Sequence, residues 1–350
     1  MTEGQIARQL RWALRPFQPL LDDTATTDLH INGAGPDGET AVFIKRKGRR
    51  ERRTVRLSAR ELESIGIHAA VLGRSRISER MPFSPGRFPD GQRIQIARSP
   101  AVPEGRYALS IRRASSKSPT PELLESWGVF DMTEAAENAR PRIGTDELLA
   151  LKAGKKWRLF LETAFRYGYS GVFAGPVNSG KTTNMRAFFH AIPLHKRIIT
   201  VQDAEELDNM PQEDVVHLLY PKDTGGIAQH TAEGCIEAGL RMDMDEVING
   251  EIRDGAAWAL MRAGGSGHSF KTSCHAPSAE GAFSSILRMA KQHPVARSFD
   301  NDDLMQALRS LIDFVAFSED IDGQRRITQV WFDPAAKTGL PKTIAAAMED

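Results

Sequence analysis

The segment Gly175-Pro-Val-Asn-Ser-Gly-Lys-Thr182 matches the pattern GxxxxGK[ST]. The chemistry of that pattern is phosphate binding: its glycines let backbone N–H groups turn inward on an anion at the start of a helix. Lys181 would reach the β- and γ-phosphates, and the Thr182 hydroxyl would hold Mg2+. Gly175, Asn178, Ser179, Gly180, Lys181, Thr182 and the adjoining Thr183 are therefore the expected nucleotide cradle. An apolar strand signal at Gly171–Ala174 precedes the loop, and a helical pattern over Thr183–Ala191 follows it. That context favours a nucleoside triphosphate site over a chance Gly-Lys turn. No Asn-Lys-x-Asp run accompanies the loop, which argues against a small GTPase.

Three more blocks carry polar side chains at the ends of apolar stretches. Arg197-Ile-Ile-Thr-Val-Gln-Asp203 runs on to Glu206; Leu240–Asp254 contains Gly250-Glu251; and Gly267-His268 leads through Ser-Phe-Lys-Thr-Ser-Cys to His275. Ligands of open parallel sheets bind beyond the carboxyl ends of the strands. All three blocks place their polar ends at the edge from which the phosphate loop springs, so they are expected to converge on it. Each also has a plainer reading: a helix-start acid at Glu251, a solvated acidic turn at Asp203 and Glu206, a satisfied histidine at His275. A zinc site on His268 and His275 is disfavoured, because no further ligand cluster is evident.

The order and wording of these blocks resemble the traffic ATPases of type IV secretion and conjugation systems, within the wider secretion-ATPase superfamily. The likeness extends over nearly the whole chain, including Asp28–Gly33, the Pro89–Gln95 hairpin and Ser110–Arg113. It implies a RecA-like ATPase domain, a homohexameric ring, and ATP with Mg2+ as substrate and metal. It further implies a peripheral place on the cytoplasmic face of the inner membrane, with other secretion-system ATPases and inner-membrane components as partners. It gives Glu251 the Walker B role, Asp203 and Glu206 the Asp box, and His275 the γ-phosphate sensor. Thr182, Asp203 and Glu251 would surround the metal, and Glu251, Lys181, Glu206 and His275 would act in catalysis. Arg93 and Arg112 match positions that supply N-terminal arginines to the nucleotide, and Arg241 and Arg253 would report its state across a subunit boundary. This chain departs from the family pattern at Gln202, Asp243 and Asn249, where a carboxylate, an arginine and an apolar residue are usual. A glutamine can position water but cannot take its proton, so base chemistry would fall to Glu251 or Glu206, and slow turnover is expected. The alternatives are a type II secretion or pilus motor, or a nucleotide-gated scaffold with little turnover. The four-cysteine zinc motif usual in type II motors has no counterpart here.

The elements that must position these groups are legible from patterning and charge. The 350 residues suit about two domains. Residues 1–115 hold 21 basic and 12 acidic side chains (+9), whereas residues 116–350 hold 25 and 33 (−8). Such asymmetry predicts two domains with different partners. An α+β domain is expected over 1–113, a linker region over 114–144 and the α/β ATPase domain over 145–350. In the first, residues 5–22 read as an amphipathic helix weakened by Pro16 and Pro19, and Ser58 with Glu61 as a capping box. Pro89-Asp90-Gly91 reads as a hairpin turn between strands. In the second, strands near 171–174, 197–201, 214–219, 245–250 and 270–274 alternate with helices, predicting a largely parallel sheet. Lys45–Arg56 carries eight basic residues, read as a contact for anionic membrane or as a solvated edge. Nucleic acid ranks third, for no aromatic residue interleaves the run. Two cysteines are too few for a disulfide framework, and no apolar stretch is long enough to span a membrane, so a reducing, cytosolic setting is expected.

Overall fold

A computed structural model describes residues 2–35, 38–113, 120–134, 142–222 and 229–349. The start of the Ser/Pro-rich linker expected after residue 113 lies outside the described residues. The N-terminal domain comprises α1 (Glu3–Ala13), α2 (Gln18–Asp22), β1 (Thr26–Ile31), β2 (Glu39–Arg46) and β3 (Arg49–Arg56). It continues with α3 (Ala59–Leu72), β4 (Phe83–Arg87), β5 (Arg93–Arg98) and β6 (Tyr107–Arg112). The six strands form one antiparallel sheet in the order β3-β2-β1-β6-β5-β4.

Local sequence accounts for much of this domain. Ser58 caps α3 through the full capping box with Glu61. The first helical segment stops at Ala13, gives a 3-10 turn at Arg15–Phe17 and resumes at Gln18. The break falls at Pro16 and Pro19, whose rings lack the N–H a continuous helix needs. Ile6, Leu10, Leu14, Phe17 and Leu21 are all buried in the sheet's core, so this face packs onto its own domain. The β5–β6 register sets Arg93 opposite Arg112.

After α4 (Pro121–Ser126), the second domain opens with α5 (Thr145–Ala153), α6 (Trp157–Arg166), β7 (Gly171–Ala174) and α7 (Lys181–Arg186). Then follow β8 (Ile198–Gln202), β9 (Val215–Leu219), α8 (Ala232–Leu240), β10 (Glu246–Asn249), α9 (Ala256–Gly265) and β11 (Ser269–Cys274). The chain ends with α10 (Gly281–Ala290), α11 (Pro294–Arg297), α12 (Asn301–Leu311), β12 (Phe314–Ile321), β13 (Gln324–Phe332) and α13 (Lys342–Glu349). The sheet order is β13-β12-β7-β11-β10-β8-β9, with only β13 antiparallel to its neighbour. The helix after the phosphate loop is shorter than the pattern suggests: it starts at Lys181, ends at Arg186, and Phe189–Ala191 is a separate 3-10 turn. The β12–β13 hairpin has no counterpart in the sequence reading, although Asp322-Gly323 at its tip is a standard hairpin signal.

The charge asymmetry resolves as one domain meeting the other. Lys45 Nζ lies 2.8 Å from Asp243, Arg50 Nη2 2.9 Å from the same carboxylate, and Arg52 Nε 3.3 Å from Glu213. Arg50 also reaches Asp245. Asp214, Asp243 and Asp245 stand just before β9 and β10, so the N-terminal domain docks on the sheet edge opposite the phosphate loop. Of the eight basic residues at 45–56, Lys45, Arg50 and Arg52 thus serve as interdomain contacts. Leu219 N–H donates to Ala101 O at 2.9 Å, tying the end of edge strand β9 to the N-terminal domain as well.

One buried group makes this docking sensitive to pH. Burial, then the Arg197 charge, pulls the His30 imidazole down from 6.5 to about 4, while Asp243 at 3.4 Å pulls the other way. Between pH 6.5 and 4 the unfolded chain takes up a proton that the folded one refuses, so stability falls as pH falls. Urea unfolding at pH 5 is expected to show about 2 kcal/mol less stability from this group than at pH 7. His30→Gln should flatten that window; an unchanged slope in the variant would refute the assignment.

Candidate active site

The parallel order brings the carboxyl ends of β7, β8, β10 and β11 to one edge, where they surround a cavity of about 380 Å3. Asn178, Gly180, Lys181, Thr182 and Thr183 form one wall, and Asp203, Glu206, Glu251 and His275 the other. Backbone geometry explains why the loop needs its glycines. Gly175 has φ +153°, and a Cβ there would lie 2.1 Å from Ser318 O; Gly180 has φ +82° at the start of α7. Asn178 takes the third positive φ, at 62°. Ser179 is buried behind the loop, its hydroxyl donating to Pro176 O at 2.9 Å.

Glu251 is held on both sides by its neighbours' backbone. Gly250 N–H donates to Val201 O and Ile252 N–H to Ser273 O, each at 2.9 Å, so adjacent strands grip the turn. Its carboxylate joins a chain of charges. Lys181 Nζ is 3.4 Å from His275 Nδ1, and His275 Nε2 is 2.8 Å from Glu251 Oε1. Arg253 then binds Glu251 Oε2 at 2.7 Å and Asp203 at 2.9 Å, while Lys222 approaches Asp203 at 3.4 Å. The His275 approach lacks hydrogen-bond geometry, leaving buried Glu251 Oε1 without a donor. Burial lowers the Lys181 ammonium below its usual range, against the pull of Glu251. The Glu251 hydrogen bond raises Arg253 further. Lys181 meanwhile donates to Pro176 O at 2.8 Å, within its own loop.

The departures noted in the sequence have separate structural reasons. Gln202 is buried, and its Oε1 accepts from the N–H groups of Glu206 and Leu207 at 2.9 and 2.8 Å. It shapes the turn that presents Asp203 and Glu206, while its Nε2, on the cavity wall, has no hydrogen-bond partner among the described residues. Asp243 lies at the docking edge, ahead of β10, where it binds Lys45, Arg50 and Arg112 of the N-terminal domain. Asn249 is fully buried at the end of β10 with both amide atoms unpartnered, which nothing in the structure explains.

Of Arg93, Arg112, Arg241 and Arg253, Arg253 alone lines this cavity. Arg93 and Arg112 do not line this cavity: Arg112 binds Asp28 at 2.9 Å and Asp243 at 3.4 Å on the docking side. Arg241, ahead of β10, lies outside the cavity, while Arg253 is inside it. His268 and His275 stand at opposite ends of β11, too far apart to share a zinc ion. Among the described residues, no group of three or more His, Cys, Asp or Glu could hold a metal without help from a ligand. Sequence reading missed Arg325, a cavity residue from β13, and Lys222. A larger crevice of about 790 Å3 between the domains holds none of the phosphate-loop residues, nor Asp203, Glu206, Glu251 or His275.

Comparison with known proteins follows the same lines. A family model described as Type II/IV secretion system protein matches residues 153–314. Protein VirB11 of Agrobacterium fabrum is 32% identical over 314 residues, covering 89% of this chain and 90% of the relative. The type IV secretion system protein VirB11 of Brucella suis is 32% identical over 341 residues, covering 95% and 93%. A crystal structure of the Brucella suis VirB11 ATPase in complex with sulphate aligns with TM-score 0.85 over 94% of this chain and 98% of that one.

Proposed function

This chain belongs to the VirB11 family of type IV secretion ATPases, and on that premise we propose that it works as a homohexameric motor driven by ATP-dependent domain motion. The observation that carries this reading is the succession of close approaches Lys181–His275–Glu251–Arg253–Asp203 in one cavity. Phosphate-loop lysine and strand-end carboxylate are joined there through a histidine. A triphosphate entering the cradle draws Lys181 away from Pro176 O and His275, because a phosphate oxygen is a stronger partner for a cation than a carbonyl. His275 is then free to meet the γ-phosphate, and that change alters its hold on Glu251. Glu251 polarises the attacking water and takes its proton, with Glu206 the nearest reserve.

Magnesium fits this donor set. Thr182 Oγ, Asp203 and Glu251 would hold it, directly or through water, and the donorless Glu251 Oε1 is the atom most in want of such a neighbour. Mg2+ commonly binds through one or two carboxylates plus phosphates, and it would supply neutralisation of phosphate charge.

In the ring, Arg93 and Arg112 serve a neighbouring copy's nucleotide, since their own domain docks at the far edge. Exchange of Arg112 between Asp243 and that phosphate couples nucleotide state to domain position. On this reading 1–113 and 145–350 are the two domains and 114–144 the linker, a division supported by the separation of β1–β6 and β7–β13 into two sheets. No helix among the described residues is long and apolar enough to cross a membrane. Attachment to the cytoplasmic face of the inner membrane, through partner proteins of the secretion apparatus, suits this reading.

The test is solution mass and ATP affinity, with and without Mg2+. ATP–Mg2+ should shift the mass toward six subunits, and Lys181→Ala should weaken ATP binding by one to two orders of magnitude, as loss of a charge-assisted contact implies. A monomer under both conditions would reject the ring; unchanged affinity in the variant would reject the site.

A further inference from the structure

Among the described residues, the nucleotide cavity contains one cation that no protein group engages. Lys181 is tied to Pro176 O, Arg253 to Glu251 and Asp203, and Lys222 to Asp203. Arg325 lines the same cavity, yet among the described residues its guanidinium has neither hydrogen bond nor ion pair, and it is exposed. Its placement is built into the fold. Ser318 on β12 accepts a hydrogen bond from Asn184 Nδ2 at 3.0 Å, and Ser318 O closes on Gly175, so the hairpin is fixed against the loop. The aliphatic stem of Arg325 covers Gly180: a Cβ on that glycine would stand 3.0 Å from Arg325 Cδ and 3.5 Å from its Cβ. A guanidinium at the mouth of an anion cradle, on a stem packed against the cradle's own backbone, is a pre-positioned phosphate ligand.

Strand order says which phosphate. Glu251 and His275 follow β10 and β11, on one side of the loop strand β7, while Arg325 comes from the β12–β13 hairpin on the other side. The terminal phosphate must face Glu251 and His275, so the nucleoside end of the chain of phosphates points toward β12 and β13. We propose that Arg325 binds the α-phosphate of the nucleotide held by its own subunit. This contact rests on the ATP-binding reading above but is separable from it. It needs no neighbouring subunit, unlike the roles assigned to Arg93 and Arg112.

The test is equilibrium binding of ATP, ADP and inorganic pyrophosphate to the full chain and to Arg325→Met and Arg325→Lys. Methionine keeps an apolar stem over Gly180 while removing the charge. The Met variant should bind ADP and ATP about tenfold more weakly, by the same factor for each, as loss of one exposed charged contact implies. Pyrophosphate held at the β- and γ-subsites should bind unchanged, the Lys variant should fall between wild type and the Met variant, and a pyrophosphate loss as large as that of ADP would overturn the α-phosphate assignment. A loss confined to ATP would move Arg325 to the γ-phosphate and overturn the proposal, as would unchanged ADP binding. A wild-type chain that binds no adenine nucleotide would instead reject the ATPase reading itself.

Discussion

Glu251→Gln is expected to lower phosphate release by about two to four orders of magnitude, the usual worth of a positioned general base. ATP binding should survive, because the phosphate loop and Lys181 are untouched. The side chain keeps its shape, and Arg253 can still donate to an amide oxygen where it now meets Oε2. What is lost is the capacity to accept a proton at the one acid that touches both His275 and Arg253. Glu206 provides the control. It lines the cavity, but no donor approaches its carboxylate among the described residues, so Glu206→Gln should leave most turnover in place. If Glu206→Gln abolished phosphate release while Glu251→Gln retained full rate, the base assignment would be reversed.

Asp214→Ala is expected to be the most destabilising single change at the domain contact, by about 3–5 kcal/mol. Arg197 is fully buried, and its guanidinium is surrounded by Asp214, Asn32, Ser110 and Met242 O. Asp214 is the carboxylate in direct contact with that guanidinium, and Asn32 and Ser110 come from the N-terminal domain. Burial disfavours the Arg197 charge and Asp214 sustains it, so removing the acid leaves a buried cation uncompensated. The double variant Asp214→Ala, Arg197→Met should recover much of the loss, because it removes both members of the pair. Urea titration of the four chains measures it; additive losses would show that the two residues do not act as a pair.

Those two sites differ in how far they could be foreseen. The Glu251 turn follows an apolar strand signal, and its place opposite Lys181 follows from the rule that parallel sheets bind ligands at their carboxyl edge. The capping box at Ser58, the Pro89-Asp90-Gly91 turn and the strand segments near 171, 197, 214, 245 and 270 were legible for a similar reason. Each depends on residues within a few positions of one another, whose spacing fixes backbone geometry directly. The last hairpin was not foreseen although Asp322-Gly323 marks it, and with it went Arg325, which among the described residues is the cavity cation without a partner.

By itself, then, the sequence determined the phosphate loop, the alternation that makes a parallel sheet, and the division of charge between its two parts. Only tertiary structure decided which charges meet. Lys45, Arg50 and Arg112 read as membrane-facing or phosphate-facing groups until the sheet order set Asp243 and Asp214 against them. Coulombic partners are chosen by distance in space, and a charged side chain carries no mark in the sequence of which distant segment will be folded beside it.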